Sequence, residues 1–437
     1  MLHTMHLLLR RKESRRKLFL TLAVLLFIQI GSQVPVYGVN PDYFSQLLDT
    51  NAALGFLNSL TGNGLSGISF FALSITPYIT ASIIIQLMGI VIPALGELAK
   101  DGKSGKEKYE RITWITAAVL GYVQAFSMAV GFGGQGLLKA YTVPNVLIAG
   151  FLLGTGALVV TLLGRLIDKK GIGNGISLIL LCNILSSLPM DFYKLYTRFE
   201  AGLPVPGKIL VAVLIGATFL LLYGFALFVN ETKKQIPLQY ASPSGRKALT
   251  GKRSLPLKLC LTGVMPVIFA QSLLSLPPVI GAIAGADTGT WPGRILLFFN
   301  SGSWFSPAYP LFTLGWPLYA VLIYFFAWFY AGIAFNTNEV AENLKRTGAT
   351  IPGIRPGAPT RDCLNRQVKT LLILGNTALL LLVTILMAVS GLTGVGSLSF
   401  GGTSILIITN VISETKEKLQ AETLEAHTQM AIRRSIL

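Results

Sequence analysis

Phe71-Ala-Leu-Ser-Ile-Thr-Pro-Tyr-Ile-Thr-Ala-Ser-Ile-Ile-Ile-Gln-Leu-Met-Gly-Ile-Val-Ile-Pro-Ala-Leu95 runs for 25 residues without one Asp, Glu, Lys or Arg. About 20 apolar residues are enough for a helix to cross a bilayer. Nine further charge-free apolar segments occupy 18–37, 112–132, 145–164, 172–190, 209–230, 259–285, 309–335, 370–391 and 400–413. Of the 437 residues 52% are hydrophobic and 13% charged, and the mean hydropathy is +0.62. The chain reads as an all-α polytopic membrane protein with ten transmembrane helices and only loops outside.

The net charge of +17 is distributed unevenly. With the N-terminus placed in the cytoplasm, 31 of the 36 Lys and Arg fall on the cytoplasmic side. Only Lys139, Lys194, Arg198, Lys208 and Arg294 fall outside. The positive-inside rule therefore predicts an even number of crossings and both termini in the cytoplasm. The tenth segment, at 14 residues, is the shortest, but without it Lys416, Lys418, Arg433 and Arg434 would be exported. Residues 10–30 resemble a signal peptide, yet no small-x-small cleavage site follows, and Gln33-Val-Pro-Val-Tyr37 continues the chain. This stretch is the first span.

Several function classes are disfavoured at this point. Transporters coupled to ions or protons keep ionisable groups at membrane depth, and none lies inside these spans. A secondary transporter would need a polar or charged midplane site, and a membrane enzyme a poised acid, base, metal or nucleophile. The three histidines, His3, His6 and His427, lie at the ends, and Cys182, Cys260 and Cys363 suggest no disulfide framework. No cofactor or metal is expected. The residues point to a passive conduit, with a secondary transporter or other permease as the alternative.

Ten spans divide into two sets of five, and an odd number per set makes any repeat inverted across the membrane. Ile75-Thr-Pro-Tyr-Ile-Thr-Ala81 in span 2 is echoed 189 residues later by Val264-Met-Pro-Val-Ile-Phe-Ala270 in span 7. A repeat and chance recurrence in apolar sequence both account for so short a match. Between spans 1 and 2, Ala52 to Gly67 is apolar and glycine-broken, and too short to cross. A re-entrant helix in an external funnel and an amphipathic helix on the outer surface both fit it.

Four stretches carry a specific resemblance: Ile75–Gln86, Gly171-Ile-Gly-Asn-Gly-Ile-Ser177, Ile351-Pro-Gly-Ile-Arg-Pro-Gly357 and Phe400-Gly-Gly-Thr-Ser404. In this order, over nearly the whole length, the chain resembles the SecY subunit of the bacterial protein-conducting channel. The resemblance implies two inverted five-helix halves, spans 1–5 over 18–190 and spans 6–10 over 209–413, hinged by an external loop at 191–208. Tails 1–17 and 414–437 would be cytoplasmic.

Carried over residue by residue, the resemblance implies a pore ring of Ile79, Ile83, Ile176, Leu180, Ile268 and Ile407. Leu180 departs from the family's usual isoleucine. Ile79 and Ile83 are four apart, as are Ile176 and Leu180, so each pair shares a helix face. Alkyl groups cannot replace an ion's hydration, so such a waist blocks ions by dewetting. The family's plug would fall at about Leu54 to Leu65, including Phe56, Leu57 and Leu60, with Gly62, Gly64 and Gly67 as a hinge. A lateral gate would lie between spans 2 and 3 and spans 7 and 8. There Gln86, Gln124 and Gln271 need amide partners, either across the gate or within one half.

Two cytoplasmic loops, 231–258 and 336–369, exceed ordinary helix connections. Ile236, Leu238 and Tyr240 alternate with polar residues and predict a strand. Asn336 with Glu339 predicts a capped helix ending near Lys345-Arg346. The resemblance implies that Arg246, Lys247, Lys252, Arg253 and, above all, Arg355 dock the SecA motor or the ribosome, including its RNA. It also implies SecE and SecG subunits, signal-sequence-bearing polypeptides and membrane lipid as partners. The expected place is the bacterial inner membrane.

Overall fold

A computed structural model describes residues 12–40, 58, 60–100, 102–200, 205–240, 254–284, 291–301, 304–305, 314–393 and 401–436. Each of the ten expected spans corresponds to one long helix. In the N-terminal half these are α1 (Lys12–Gly31), α2 (Thr76–Val91), α3 (Gly102–Gly131), α4 (Val143–Lys170) and α5 (Gly175–Glu200). In the C-terminal half they are α6 (Val205–Glu231), α7 (Met265–Ile283), α8 (Gly315–Ala334), α9 (Ala358–Thr393) and α10 (Gly401–Ile436). By length and composition, five helices among the described residues qualify as spans: those of α3, α4, α6, α8 and α9.

The packing repeats with an offset of five. α2 lies on α3, α3 on α4, and α1 on α4 and α5; correspondingly α7 lies on α8, α8 on α9, and α6 on α9 and α10. The halves join along one side, where α5 meets α6 and α10, and touch more narrowly on the other, where α3 meets α7. Exposed Leu, Ile, Val and Phe side chains on α1, α3, α6 and α8 form the outer belt, the arrangement for a chain whose solvent is lipid.

Three expectations of the sequence need correction. Segments 71–75 and 259–264 were expected inside spans 2 and 7, but they are not helical. Both helices begin at a residue followed by proline, Thr76-Pro77 and Met265-Pro266, 189 apart. Proline is accommodated in a first turn, where no earlier carbonyl awaits its missing N–H. The expected external loop 191–208 is largely helix, with α5 running on to Glu200 and α6 starting at Val205. The shortest expected span belongs to a helix of 36 residues, Gly401–Ile436.

On the face that carries the basic loops, β1 (Lys233–Pro237) pairs antiparallel with β3 (Ser254–Lys258). β2 (Gln239–Tyr240) pairs with β4 (Ala349–Thr350), which joins the two long loops into one unit. A helix at Thr337–Arg346 follows Asn336, whose Oδ1 accepts from the backbone N–H groups of Asn338 and Glu339 at 3.2 and 3.4 Å. Ile236, Leu257, Ala341, Leu344, Ile351 and Leu364 give this unit its own apolar core.

Candidate pore and its seal

The glycine-rich stretch 171–177 turns the chain from α4 into α5. Gly173 takes φ +84°, in the left-handed region that favours glycine. A Cβ at Gly175 would collide with the Gly164 carbonyl oxygen of α4. The Gly175 N–H donates to Asp168 Oδ1 at 2.7 Å, and Asn174 Oδ1 accepts from the Ile176 and Ser177 N–H groups at 3.2 and 3.4 Å. Asn174 is therefore the cap that starts α5. The cap sets the rotation of that helix and with it the direction of Ile176 and Leu180.

Ile79, Ile176, Leu180, Ile268 and Ile407 line one cavity of about 180 Å³. Ile79, Leu180, Ile268 and Ile407 are each at most 8% exposed and share one buried apolar cluster, with Ile83 and Ile176 packed against it. Ile83 is not among the cavity's lining residues. The backbone is alike on both sides of the repeat: Ile79 N–H donates to the Ile75 carbonyl at 3.1 Å, and Ile268 N–H to the Val264 carbonyl at 3.2 Å. Above these alkyl groups, towards the basic face, the wall turns polar, with Ser82, Gln86, Asn174, Ser177, Asn410 and Glu414. The result is a partly polar vestibule above an apolar floor.

On the other side of that floor lies the segment before α2. Leu54, Phe56 and Leu57 fall outside the described residues. Asn58 and Leu60 are helical, and turns follow from Thr61 to Ile75, so the expected helix does not reach Leu65. The break comes from Gly62 and Asn63, with φ +67° and +65°. Of the expected hinge glycines only Gly62 is left-handed; the others that reverse the chain are Asn63, Ile68 and Ser74. A β-branched residue such as Ile68 at φ +43° carries backbone strain, held by burial at 0% exposure. Leu60 belongs to the ring's apolar cluster, whereas Leu65 packs with Val36, Ile68, Met128 and Phe132.

One residue here escaped the sequence reading. Asn183, on α5 one turn beyond Leu180, is fully buried. Its Nδ2 donates to the Leu60 carbonyl at 2.8 Å and to Ser74 Oγ at 3.0 Å, while its Oδ1 accepts from Gln29 Nε2 of α1 at 3.0 Å. The signal was a lone amide within Leu178-Ile-Leu-Leu-Cys-Asn-Ile-Leu185.

The three glutamines behave differently from one another. Gln86 Nε2 donates to Ser82 Oγ within α2 at 2.9 Å. Its buried Oε1 lacks a well-formed hydrogen bond among the described residues, although the Tyr330 hydroxyl of α8 lies near enough to interact with the amide. Gln271 Nε2 makes a long 3.5 Å contact to Ser301 Oγ within its own half, and its buried Oε1 has no hydrogen-bond partner among the described residues. Gln124 is only half-buried.

Of the basic docking residues, Arg246, Lys247, Lys252 and Arg253 lie outside the described residues. Arg355 is exposed between Gly353 and Gly357, at φ +78° and +105°, and its carbonyl accepts from Thr360 Oγ1 at 2.9 Å. At the base of the hairpin, Glu417 of α10 accepts from Lys233 and Lys258 at 2.8 and 2.5 Å, and Lys416 donates to Glu231 at 2.7 Å. Burial raises the Glu417 pKa, but the two lysines outweigh it and hold the carboxyl below its ordinary value.

Two five-helix halves that meet around a cavity with apolar and polar walls, with a buried non-helical segment beneath it, are the architecture of a polypeptide-conducting membrane channel. A sequence profile of the SecY family matches residues 69–416. The protein translocase subunit SecY of Halalkalibacterium halodurans is 35% identical over 437 residues, covering 97% of this chain and 98% of that protein. The corresponding subunit of Staphylococcus epidermidis is 35% identical over 424 residues, covering 94% of this chain and 95% of that one. The fold is shared with a solved protein-conducting channel (TM-score 0.69, 19% identity, 94% of this chain and 92% of that one). It is shared too with a SecY whose plug domain is described as stabilising the closed state and maintaining a membrane seal (TM-score 0.67, 19% identity, the same coverage). Sec61 from a canine ribosome–channel complex matches with TM-score 0.66 and 19% identity, again over 94% of this chain and 92% of that one. The chain belongs to the SecY family. It is the channel subunit of the general secretion translocase, passing unfolded polypeptides across the membrane and releasing apolar segments sideways into lipid; it is not an enzyme.

Proposed function

We propose that Ile79, Ile83, Ile176, Leu180, Ile268 and Ile407 form the ring through which the polypeptide passes, and that the segment from about Leu54 to Leu65 is its plug. The observation that supports this most directly is the convergence of five of these residues, from four helices of both halves, on one cavity. Alkyl side chains grip any unfolded chain without reading its sequence and leave an ion unhydrated when the pore is empty. The lateral gate is the narrow α3–α7 seam together with α2 and α8, with the Gln86–Tyr330 approach as its polar contact.

The basic face is cytoplasmic, with both termini, and the membrane is the bacterial inner membrane. SecE, SecG and the SecA motor are the partners this reading adds. The ribosome docks on the two-loop unit, as the canine Sec61 complex suggests by analogy, and Arg355 is its leading contact. The Arg355→Glu substitution is expected to reduce co-sedimentation with ribosomes or motor while leaving the amount of folded channel unchanged.

The test of the pore is a photo-crosslinker at Ile268 with a stalled secretory chain, SecE and the motor or ribosome present. An adduct that disappears when the signal sequence is deleted places Ile268 on the path. Adducts from the two-loop unit alone would leave docking intact and refute the ring.

A further inference from the structure

We propose that Asn183 is the latch of this seal, a positioning residue whose amide holds the plug's backbone on α5 and sets how readily the idle channel opens. The inference rests on the reading of residues 54–65 as the plug. Four observations carry it. Asn183 is 0% exposed, and it bonds at once to α1, to the lead-in of α2 and to the last helical residue before the plug's turn. It lies one helical turn from Leu180, so the contact forms directly under the ring. Gly62 is packed against it: a Cβ there would sit 3.0 Å from Asn183 Oδ1 and 3.2 Å from its Cα. The partner on the plug is the Leu60 carbonyl, a backbone atom, so this bond survives changes of side chain along the plug.

The physical consequence is a threshold. Plug departure takes the Leu60 carbonyl from Asn183 Nδ2 and leaves a donor facing a pore otherwise lined by alkyl groups. An unpaired donor in an apolar wall is costly. An extended polypeptide carries one carbonyl per residue and can accept the freed N–H, so an entering substrate compensates the lost bond. An empty apolar waist does not. The latch therefore favours closure when the channel is idle and is neutralised when it is occupied.

The experiment uses the full chain with its partner subunits, reconstituted in phospholipid vesicles. It reads idle halide flux, export of a reporter lacking its signal sequence, and export of the intact reporter. Asn183→Leu is close in size and removes all three hydrogen bonds. It should raise idle flux and signal-less export about tenfold, the equivalent of about 1.4 kcal/mol. Export of the signal-bearing reporter and the amount of folded complex should stay as in the wild type. A chain lacking residues 54–65 is measured alongside. If the deletion leaks and Asn183→Leu does not, the plug stands and the latch is refuted. If neither leaks, the plug reading itself is refuted, and the latch with it. Should Asn183→Leu fail to accumulate, Gly62→Ala carries the test, because its methyl group would press on Asn183 Oδ1 and Cα and separate the plug from the amide. Wild-type idle flux in that variant would overturn the proposal.

Discussion

The entrances to α2 and α7 begin alike and are built to different ends. Both helices start at a residue followed by proline, place an isoleucine one turn in, and are preceded by buried non-helical chain. Ahead of α2 that lead-in runs from Thr61 to Ile75, folds back on Val34 and Val36, and is bonded to Asn183. Ahead of α7 it is short, coming from β3 of the two-loop unit, and Gly263 at φ +59° faces Asn410 of α10. On the proposed reading, one copy of the repeat seals the pore, and the other ties it to the surface offered to partners. Irregular backbone inside a membrane protein is tolerated only where protein surrounds it, and each copy meets that condition with its own neighbours.

The strongest challenge to this comparison is to make the two isoleucines polar. Ile79→Asn and Ile268→Asn should each lower the dewetting barrier by about 2 kcal/mol, roughly thirtyfold in idle ion flux. Equivalent positions should give equivalent leaks, and a leak from only one would break the functional symmetry. The glycines should then separate the two entrances. Gly263→Ala and Gly62→Ala each force a left-handed residue, at about 1–2 kcal/mol. The former is expected to lower the thermal stability of the detergent-purified complex, the latter to act mainly on idle flux.

A smaller effect is expected from the glutamines. Replacing either by Leu removes a buried carbonyl oxygen without a hydrogen-bond partner among the described residues, worth about 1 kcal/mol to the closed state. Gln86→Leu also removes the contact towards Tyr330 across the seam and should change how strongly export depends on the signal sequence; Gln271→Leu, bonded within its half, should not. The mildest test lies at the hairpin. The Glu417 carboxyl is held below its ordinary pKa, so its clamp on Lys233 and Lys258 is complete above that ordinary value and fades as pH falls through the lowered one. Hydrogen exchange in β1 and β3 should rise over that acidic range, and Glu417→Gln should remove the dependence.

Much of this molecule is legible in its sequence. The number of long helices, the basic face and the Asn336 cap follow from hydropathy, charge and one side-chain pattern. The Pro-x-Ile-x-Ala echo, open between a repeat and chance in the sequence, falls at two helix starts 189 residues apart, which hydropathy had placed further upstream. The ring depended on the resemblance, because an isoleucine at membrane depth is otherwise indistinguishable from one that faces lipid. Helix limits were misplaced where apolar residues continued without helix, as at 71–75 and 259–264, since hydropathy records burial and not backbone conformation.

The sequence by itself determined that this chain lives in a membrane, that its basic residues gather in one set of loops, and that it holds no charge within its spans. These follow from transfer free energies that each residue carries locally. Only the tertiary structure decided that five alkyl groups from four helices meet at one waist and that two distant loops share a sheet. It alone decided that Asn183 reaches a carbonyl 123 positions away. Such pairings depend on helix rotation and close approach, set by contacts like Gly175 on Gly164, and no local propensity encodes them.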